Sequence, residues 1–363
     1  MFHNIRILSE VHRVHVLSFI GIDEDERILD SIRPFCESVR GIRRIPDFRP
    51  HWLSVKPFLV REFSTPEMHE AVNKIIRERN IDVLQCEYLQ MAQFRRESVF
   101  CVLTAHEAYS RNAYKTFKGE PDPFKRVKLF YRWMQMLRYE VGQIRKFDRV
   151  VTMTREDADY LKSYAPKADI RSIPIGVDAE EFSPVESGPT DRISVLFLGN
   201  FFHSPNIEAA RFLVQDIAPR FPDILFRIAG SPVPEGLQPG PNVELSGYVP
   251  DTRTLYRSPD TIVVTPLFSG TGQRVKLLEA FSMACPVVTT SVGAMGFPIV
   301  SGTHAILAET VADFESAIRQ LIADPVFRKR LGHNARTMIL DRYTWTRLGK
   351  EFLNVVAEAA VSH

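Results

Sequence analysis

At 363 residues the chain is too long for one ordinary core, and two domains are expected. Apolar content of 45% and charge of 25% are those of a soluble globular protein, and a formal net charge of +2 excludes a nucleic-acid coat, so any basic character has to be local. Four scattered cysteines (Cys36, Cys86, Cys101, Cys285) show neither a C-x-x-C pair nor histidines at zinc spacing, and read as reduced core thiols. No apolar run reaches the ~18 residues of a membrane span, and no cationic flank leads into an apolar stretch at the N-terminus. The expectation is a cytoplasmic protein.

Short apolar runs alternate with amphipathic segments from end to end, which predicts an α/β protein with parallel sheets. In the first half, strands are expected at 13–20, 82–88, 98–106 and 148–154. Helices are expected over 66–80, where apolar residues recur at helical spacing, and over 124–147. The second of these carries seven cations against one acid, Glu140, with aromatic and aliphatic residues between them. The first reading is a helix whose apolar side packs on the N-terminal sheet while its cations are solvated. The second is a surface that meets anionic lipid. Asp23-Glu24-Asp25 and Asp157-Ala158-Asp159 have the D-x-D pattern of metal-dependent transferases, but read as a solvated loop and a helix segment rather than metal ligands.

Residues 173–190, rich in Pro, Gly and acid, read as a linker between an N-terminal domain (1–172) and a C-terminal one (191–345). The terminal helix, 346–363, is expected to pack back on the first domain. In the C-terminal domain the strands are expected at 193–200, 224–230, 243–249, 260–267 and 286–291, with helices over 205–219 and 273–284. Two Rossmann-like halves of this kind would place their functional loops at the carboxyl ends of the strands, around a cleft.

The stretch "SGTGQRVKLLEAF" holds the most chemistry. Gly270 and Gly272 would let backbone approach a ligand, and the helix that follows would aim free amides and its positive dipole end at the same place. Arg274 and Lys276 add full charges, so a diphosphate is the expected guest. Glu279 lies three residues beyond Lys276 on a shared face, and its carboxylate suits a pair of ribose hydroxyls. The glycine spacing matches neither G-x-G-x-x-G nor the phosphate loop.

"VVTPLFSGTGQRVKLLEAFSMACPVVTT" resembles the donor-site signature of family 4 glycosyltransferases, retaining enzymes of the GT-B architecture. "IPIGVDAEEFSP", "LFLGNFFHSPNIEAARFLVQDIAP", "FRIAG", "SGYVPDTRTLY" and "DPVFRKRLGHNARTMILDRYTW" follow the family's order. The resemblance implies a hexosyltransferase-type enzyme that moves sugar from a nucleotide-diphosphate donor to a glycan or lipid-linked acceptor, with retention and without a metal or other cofactor. It implies Arg274 and Lys276 on the diphosphate, Glu279 on the ribose, and Gly247, Tyr248 and Val249 along the base. It also puts His106, just past the strand at 98–106, beside the donor sugar. On its own, a histidine at a strand end is structural as readily as functional.

The chain departs from the family in three places. Many members carry an acid eight residues before the ribose carboxylate, where Thr271 stands here; the amides of Gly270, Thr271 and Gly272 would substitute. Many carry Arg and Lys after the first strand of the C-terminal domain, where "GNFFHSPN" offers Gly199, His203 and Asn206. The opening "MFHNIRILSEVHRVHVLSFI" resembles the end of the family's first helix followed by its second strand, so the first strand is expected to be missing from these residues. Two other readings stay open: a nucleotide-sugar-binding pseudoenzyme, and a nucleotide-sugar epimerase of the same fold.

Overall fold

The computed structural model describes residues 1–21, 26–44, 56–184, 193–257, 260–270 and 272–360. The acidic triplet at 23–25, Thr271 and part of the proposed linker lie outside them. The chain divides into two compact units, one of Met1–Pro174 with Gly349–His363 and one of Ile175–Leu348.

The first unit opens with α1 (Phe2–Ser9), then β1 (His15–Ile20) and β2 (Ser38–Arg43), which pair in parallel as a sheet of their own. After α2 (Phe58–Arg61) comes α3 (Pro66–Arg79). Thr65 caps it by accepting from the Met68 amide, Pro66 starts it, and Asn80 ends it in the left-handed region at φ 48°. A second parallel sheet runs β3 (Val83–Glu87), β4 (Phe100–Ala105), β5 (Arg149–Thr152) and β6 (Ile170–Ser172), in that order. Every residue of β4 is buried, as a strand covered on both faces requires. Leu17 and Phe19 of β1 and Leu84 of β3 pack on one small core of Ile42, Met68, Ala71, Val72 and Phe94.

Between β4 and β5 lie α4 (Tyr109–Gly119) and α5 (Pro123–Ile144), and α6 (Arg155–Tyr164) follows β5. Asp122 and Pro123 start α5 as cap and first-turn residue. Its last turns join the core through Met136, Tyr139 and the buried Ile144. Its first turns do not. Phe124 is 87% exposed and Val127 71%, with Tyr131 and Met134 exposed along the same side. Packing on the sheet therefore accounts for only the C-terminal half of this helix.

The second unit holds β7 (Ser194–Leu198), α7 (Ser204–Phe212), β8 (Leu225–Ala229), β9 (Val243–Gly247), α8 (Arg253–Tyr256), β10 (Thr261–Thr265), α9 (Val275–Ser282), β11 (Val287–Thr289) and β12 (Ile306–Leu307). Then come α10 (Val311–Ala323), α11 (Pro325–Arg342) and α12 (Trp345–Ala360). The six strands form one parallel sheet in the order β12-β11-β10-β7-β8-β9, with apolar cores on two sides of it. Residues 175–184 are part of this unit: Val177 is buried and exchanges backbone bonds with Tyr343 and Trp345, and Ser282 donates to the Phe182 carbonyl. From Gly349 onward α12 belongs to the first unit, where Arg149 donates to the Val355 carbonyl and pairs with Glu358.

Candidate active site

The strand order of the second unit reverses between β7 and β10. From β7 the chain steps to β8 and β9 on one side, and from β10 to β11 and β12 on the other. Loops leaving the carboxyl ends of β7 and β10 therefore diverge and open a crevice, the usual ligand place in a parallel sheet. Gly199 follows β7. A Cβ there would stand 3.2 Å from Asn206, Phe197 and Phe201. Gly230, after β8, has φ +139° and a Cβ on it would lie 1.7 Å from the Gly199 carbonyl, so only glycine fits. The Gly230 amide donates to the carbonyl of Gly247, which ties the turn before Tyr248 and Val249 to the same rim.

After β10 the chain runs through Ser269 and Gly270 into α9. The helix begins at Val275 rather than near Gln273; Arg274 is its cap residue, and the buried Gln273 side chain accepts from the Ile175 amide at 2.6 Å. Gly270 has φ +100°, and a Cβ on it would come within 2.9 Å of the Arg274 guanidinium. The glycine thus lets a cation lie against the loop, beside the first free amides of the helix.

Lys276 and Glu279 sit one turn apart on α9, and each has a partner from another helix, Asn206 of α7 and Tyr256 of α8. The Lys276 ammonium donates to Asn206 Oδ1 at 2.8 Å and stands 4.6 Å from the centre of the Phe197 ring. Asn206 is fixed in turn, because its Nδ2 donates to the Asn200 carbonyl. Tyr256 Oη donates to Glu279 Oε2 at 3.2 Å. Burial holds the Tyr256 phenol well above its usual range, so it stays a donor. Burial, and then Arg274 beside it, press Lys276 down to about 7 against the pull of Glu279. Burial pushes Glu279 up to about 7 despite Tyr256 and Lys276. The site therefore holds a cation and a carboxyl that both change charge near neutrality.

The structure thus brings Gly199, Asn206, Gly270, Arg274, Lys276 and Glu279 to the two loops of the switch point and the helices α7 and α9 that follow them. Asn206 reaches it as a holder of Lys276. Gly272 follows in the same loop at φ +78°. His203 occupies the cap position of α7, exposed and without a side-chain cap bond, and Tyr248 is exposed. Asp157 is buried on Arg111 while Asp159 is exposed, so these two carboxylates do not converge.

In the first unit His106 stands just past β4. Its Nε2 is 2.7 Å from Glu87 Oε2, and the Tyr88 ring stacks on the imidazole with centroids 3.9 Å apart at 17°. Tyr256, Phe197, Glu87 and Tyr88 are the partners that sequence reasoning missed. Tyr256 and Phe197 had a local signal, as residues of "SGYVPDTRTLY" and "LFLGNFFHSPNIEAARFLVQDIAP"; Glu87 and Tyr88 had none.

Two family models match the chain. Glycosyltransferase Family 4 covers residues 7–181, and the group 1 glycosyl transferases cover 192–324. An uncharacterized 44.6 kDa protein in the cps region of Klebsiella pneumoniae is 21% identical over 92% of this chain and 89% of its own length. Sucrose-phosphate synthase from Thermosynechococcus elongatus superposes with a TM-score of 0.77 at 17% identity, over 99% of this chain and 92% of that one. Anabaena HepE in complex with UDP-glucose superposes at 0.71 and 13%, over 98% and 95%. The fold is α/β of the GT-B class. The chain belongs to the group 1 and family 4 glycosyltransferases.

Proposed function

We propose that this glycosyltransferase takes a sugar from a nucleotide-diphosphate donor and passes it, with retention and without a metal ion, to a growing glycan or a lipid-linked acceptor. The observation that carries the donor assignment is the pair Lys276 and Glu279, held by Asn206 and Tyr256 at the point where the strand order reverses. The leaving diphosphate is taken by Arg274, Lys276 and the first amides of α9. Cation and amide donors fixed in advance stabilise such charge without reorganising. Glu279 accepts the ribose hydroxyls, the turn of Gly247, Tyr248 and Val249 faces the base, and His106 acts in the transfer itself. The UDP and UDP-glucose bound by HepE support a nucleotide-sugar as donor.

The test is a thermal-shift panel with UDP, GDP, ADP and their glucose and N-acetylglucosamine conjugates. A ligand at about 100 times its Kd adds about 2.7 kcal/mol to the folded state, a shift of several degrees. One diphosphate is expected to stabilise and so to name the base; none doing so would refute the donor assignment. A conjugate consumed only when acceptor is present marks a transferase, and isomerisation of the donor alone marks an epimerase. Binding without any turnover marks a pseudoenzyme.

The exposed apolar face of α5 among its cations favours a second partner for the same enzyme, the surface of an anionic membrane at which a lipid-linked acceptor would be met.

A further inference from the structure

Glu87 is the last residue of β3 and His106 follows β4, so two neighbouring strands deliver the pair to one sheet end. Both oxygens of the carboxylate are engaged. Oε2 meets His106 Nε2 at 2.7 Å, and Oε1 accepts from Gln85 Nε2, which also donates to Thr104 Oγ1 at 3.2 Å. Tyr88 then covers one face of the imidazole, and its backbone stands at φ 71°, a region that costs a non-glycine residue about 1–3 kcal/mol. The Tyr88 amide donates to the Thr104 carbonyl, which holds that conformation.

A staple between strands explains little of this. β3 and β4 are already paired in register over five residues, from Val83 opposite Phe100 to Glu87 opposite Thr104. Neither the strained turn at Tyr88 nor a carboxylate on the ring nitrogen is needed to keep them together. The pair also stays accessible, each side chain retaining one-fifth of its exposure. What the arrangement does achieve is a histidine with one ring orientation. With Nε2–H donated to Glu87, Nδ1 is the nitrogen left to meet a substrate group.

We infer that Glu87 is a positioning residue for His106 in sugar transfer, with Tyr88 as the clamp on the ring. The inference rests on the reading of His106 as a residue of the transfer step. It deepens that reading by naming what fixes the imidazole.

The experiment is a double-mutant cycle on the full chain, with hydrolysis of UDP-glucose as the probe, or of whichever conjugate shifts the melting midpoint. His106→Ala is expected to lower kcat by about 100-fold or more. Glu87→Leu is expected to lower it by a factor approaching 100, as loss of alignment does, with the nucleotide-induced midpoint shift and the KM for the donor unchanged. The double variant is expected to match His106→Ala within about twofold, since Glu87 acts only through the ring. Glu87→Gln keeps an acceptor for the Nε2–H but not the charge, and should stay within about tenfold of wild type, a rescue expected if orienting the ring rather than the carboxylate's charge is what counts. Should Glu87→Leu fail to fold, the cycle runs with Glu87→Gln, whose smaller loss must vanish when His106 is already alanine. Losses that multiply would overturn the inference, as would Glu87→Leu at wild-type rate beside an impaired His106→Ala. Turnover untouched by His106→Ala, or absent from the wild type, would instead overturn the reading of His106 and take the inference with it.

Discussion

Lys276 is a cation kept half in hand: burial and Arg274 weaken its hold on the proton, and Asn206 and the Phe197 ring keep it aimed. Replacing it by alanine should weaken diphosphate binding by about 10- to 100-fold, the worth of one charge-assisted bond, with little effect on the unfolding midpoint. On the role proposed for it at the ribose, Glu279→Ala should weaken the nucleoside diphosphate but not inorganic diphosphate. Titration calorimetry on both ligands separates the two roles, and unchanged affinity in both variants would sink the site assignment. The pH dependence follows in sign. Above pH 7 the free protein loses the Lys276 proton, so diphosphate affinity should fall by up to about tenfold per pH unit, with a proton taken up on binding. Below pH 7 Glu279 gains a proton and the ribose loses its acceptor, so affinity for the nucleotide peaks near neutrality. Lys276→Arg should flatten the alkaline limb, since a guanidinium stays charged. The loop and first turn of α9 were legible in the sequence because their chemistry is local, two glycines, two cations and an acid within ten residues. Tyr256 on Glu279, 23 residues away, and Glu87 on His106, 19 residues away, were not. Such partners meet only once strand order and register are set.

Among the elements, long apolar runs were the readable ones. Phe100–Ala105 and Thr261–Thr265, buried throughout, lie inside the expected strands 98–106 and 260–267. Ser38–Arg43 did not announce itself, because "SVRGIR" mixes two arginines and a glycine into an edge strand, and Ile170–Ser172 and Ile306–Leu307 are too short to carry a period. α5 was found, but the expected packing on the sheet holds only for its C-terminal half. Spacing alone gives an apolar side and cannot say which turns of it are covered. Phe124, Val127, Tyr131 and Met134 recur at three and four residues and share one exposed face, while Glu140 and Ile144 are buried on another. Lys125, Lys128, Arg132 and Arg138 lie along the same helix, each worth about 1 kcal/mol at an anionic surface. We expect the protein to sediment with vesicles of phosphatidylcholine and phosphatidylserine at low salt and to be released at high salt. Serine at 124, 127 and 131 together should abolish this while leaving the nucleotide-induced midpoint shift intact. Recovery in the supernatant at low salt would refute the membrane contact.

At the scale of the whole molecule, the two units have separate cores and, on this reading, separate levers. Nucleotide should stabilise the second, whose helix α9 carries Lys276 and Glu279. The first carries a different titratable group, Glu140, buried beneath the start of α4, where its carboxylate accepts from the Tyr109 and Ser110 amides and the Ser110 hydroxyl. Those donors favour the charged form, yet burial outweighs them and pushes Glu140 up to about 7. An acid whose folded pKa is raised binds its proton more tightly folded than unfolded. Its contribution is therefore complete below the unfolded value near 4.5 and is lost as pH rises through about 7. The first unit should lose up to about 3 kcal/mol of stability across that window. Asp169 and Glu358, held low by Arg149 and Arg171, act the other way but only at more acid pH. Amide exchange, corrected for its intrinsic pH dependence, reads the units apart. Between pH 5 and 7 protection should fall in α4, α5 and β4, and Glu140→Gln should flatten that slope at the cost of about 1–3 kcal/mol, since one of its amide faces cannot accept from the helix start. Nucleotide added at pH 7 should raise protection around 199–206 and 274–282 without changing the slope in α4. A slope that survives Glu140→Gln would assign the pH response of the first unit to another group.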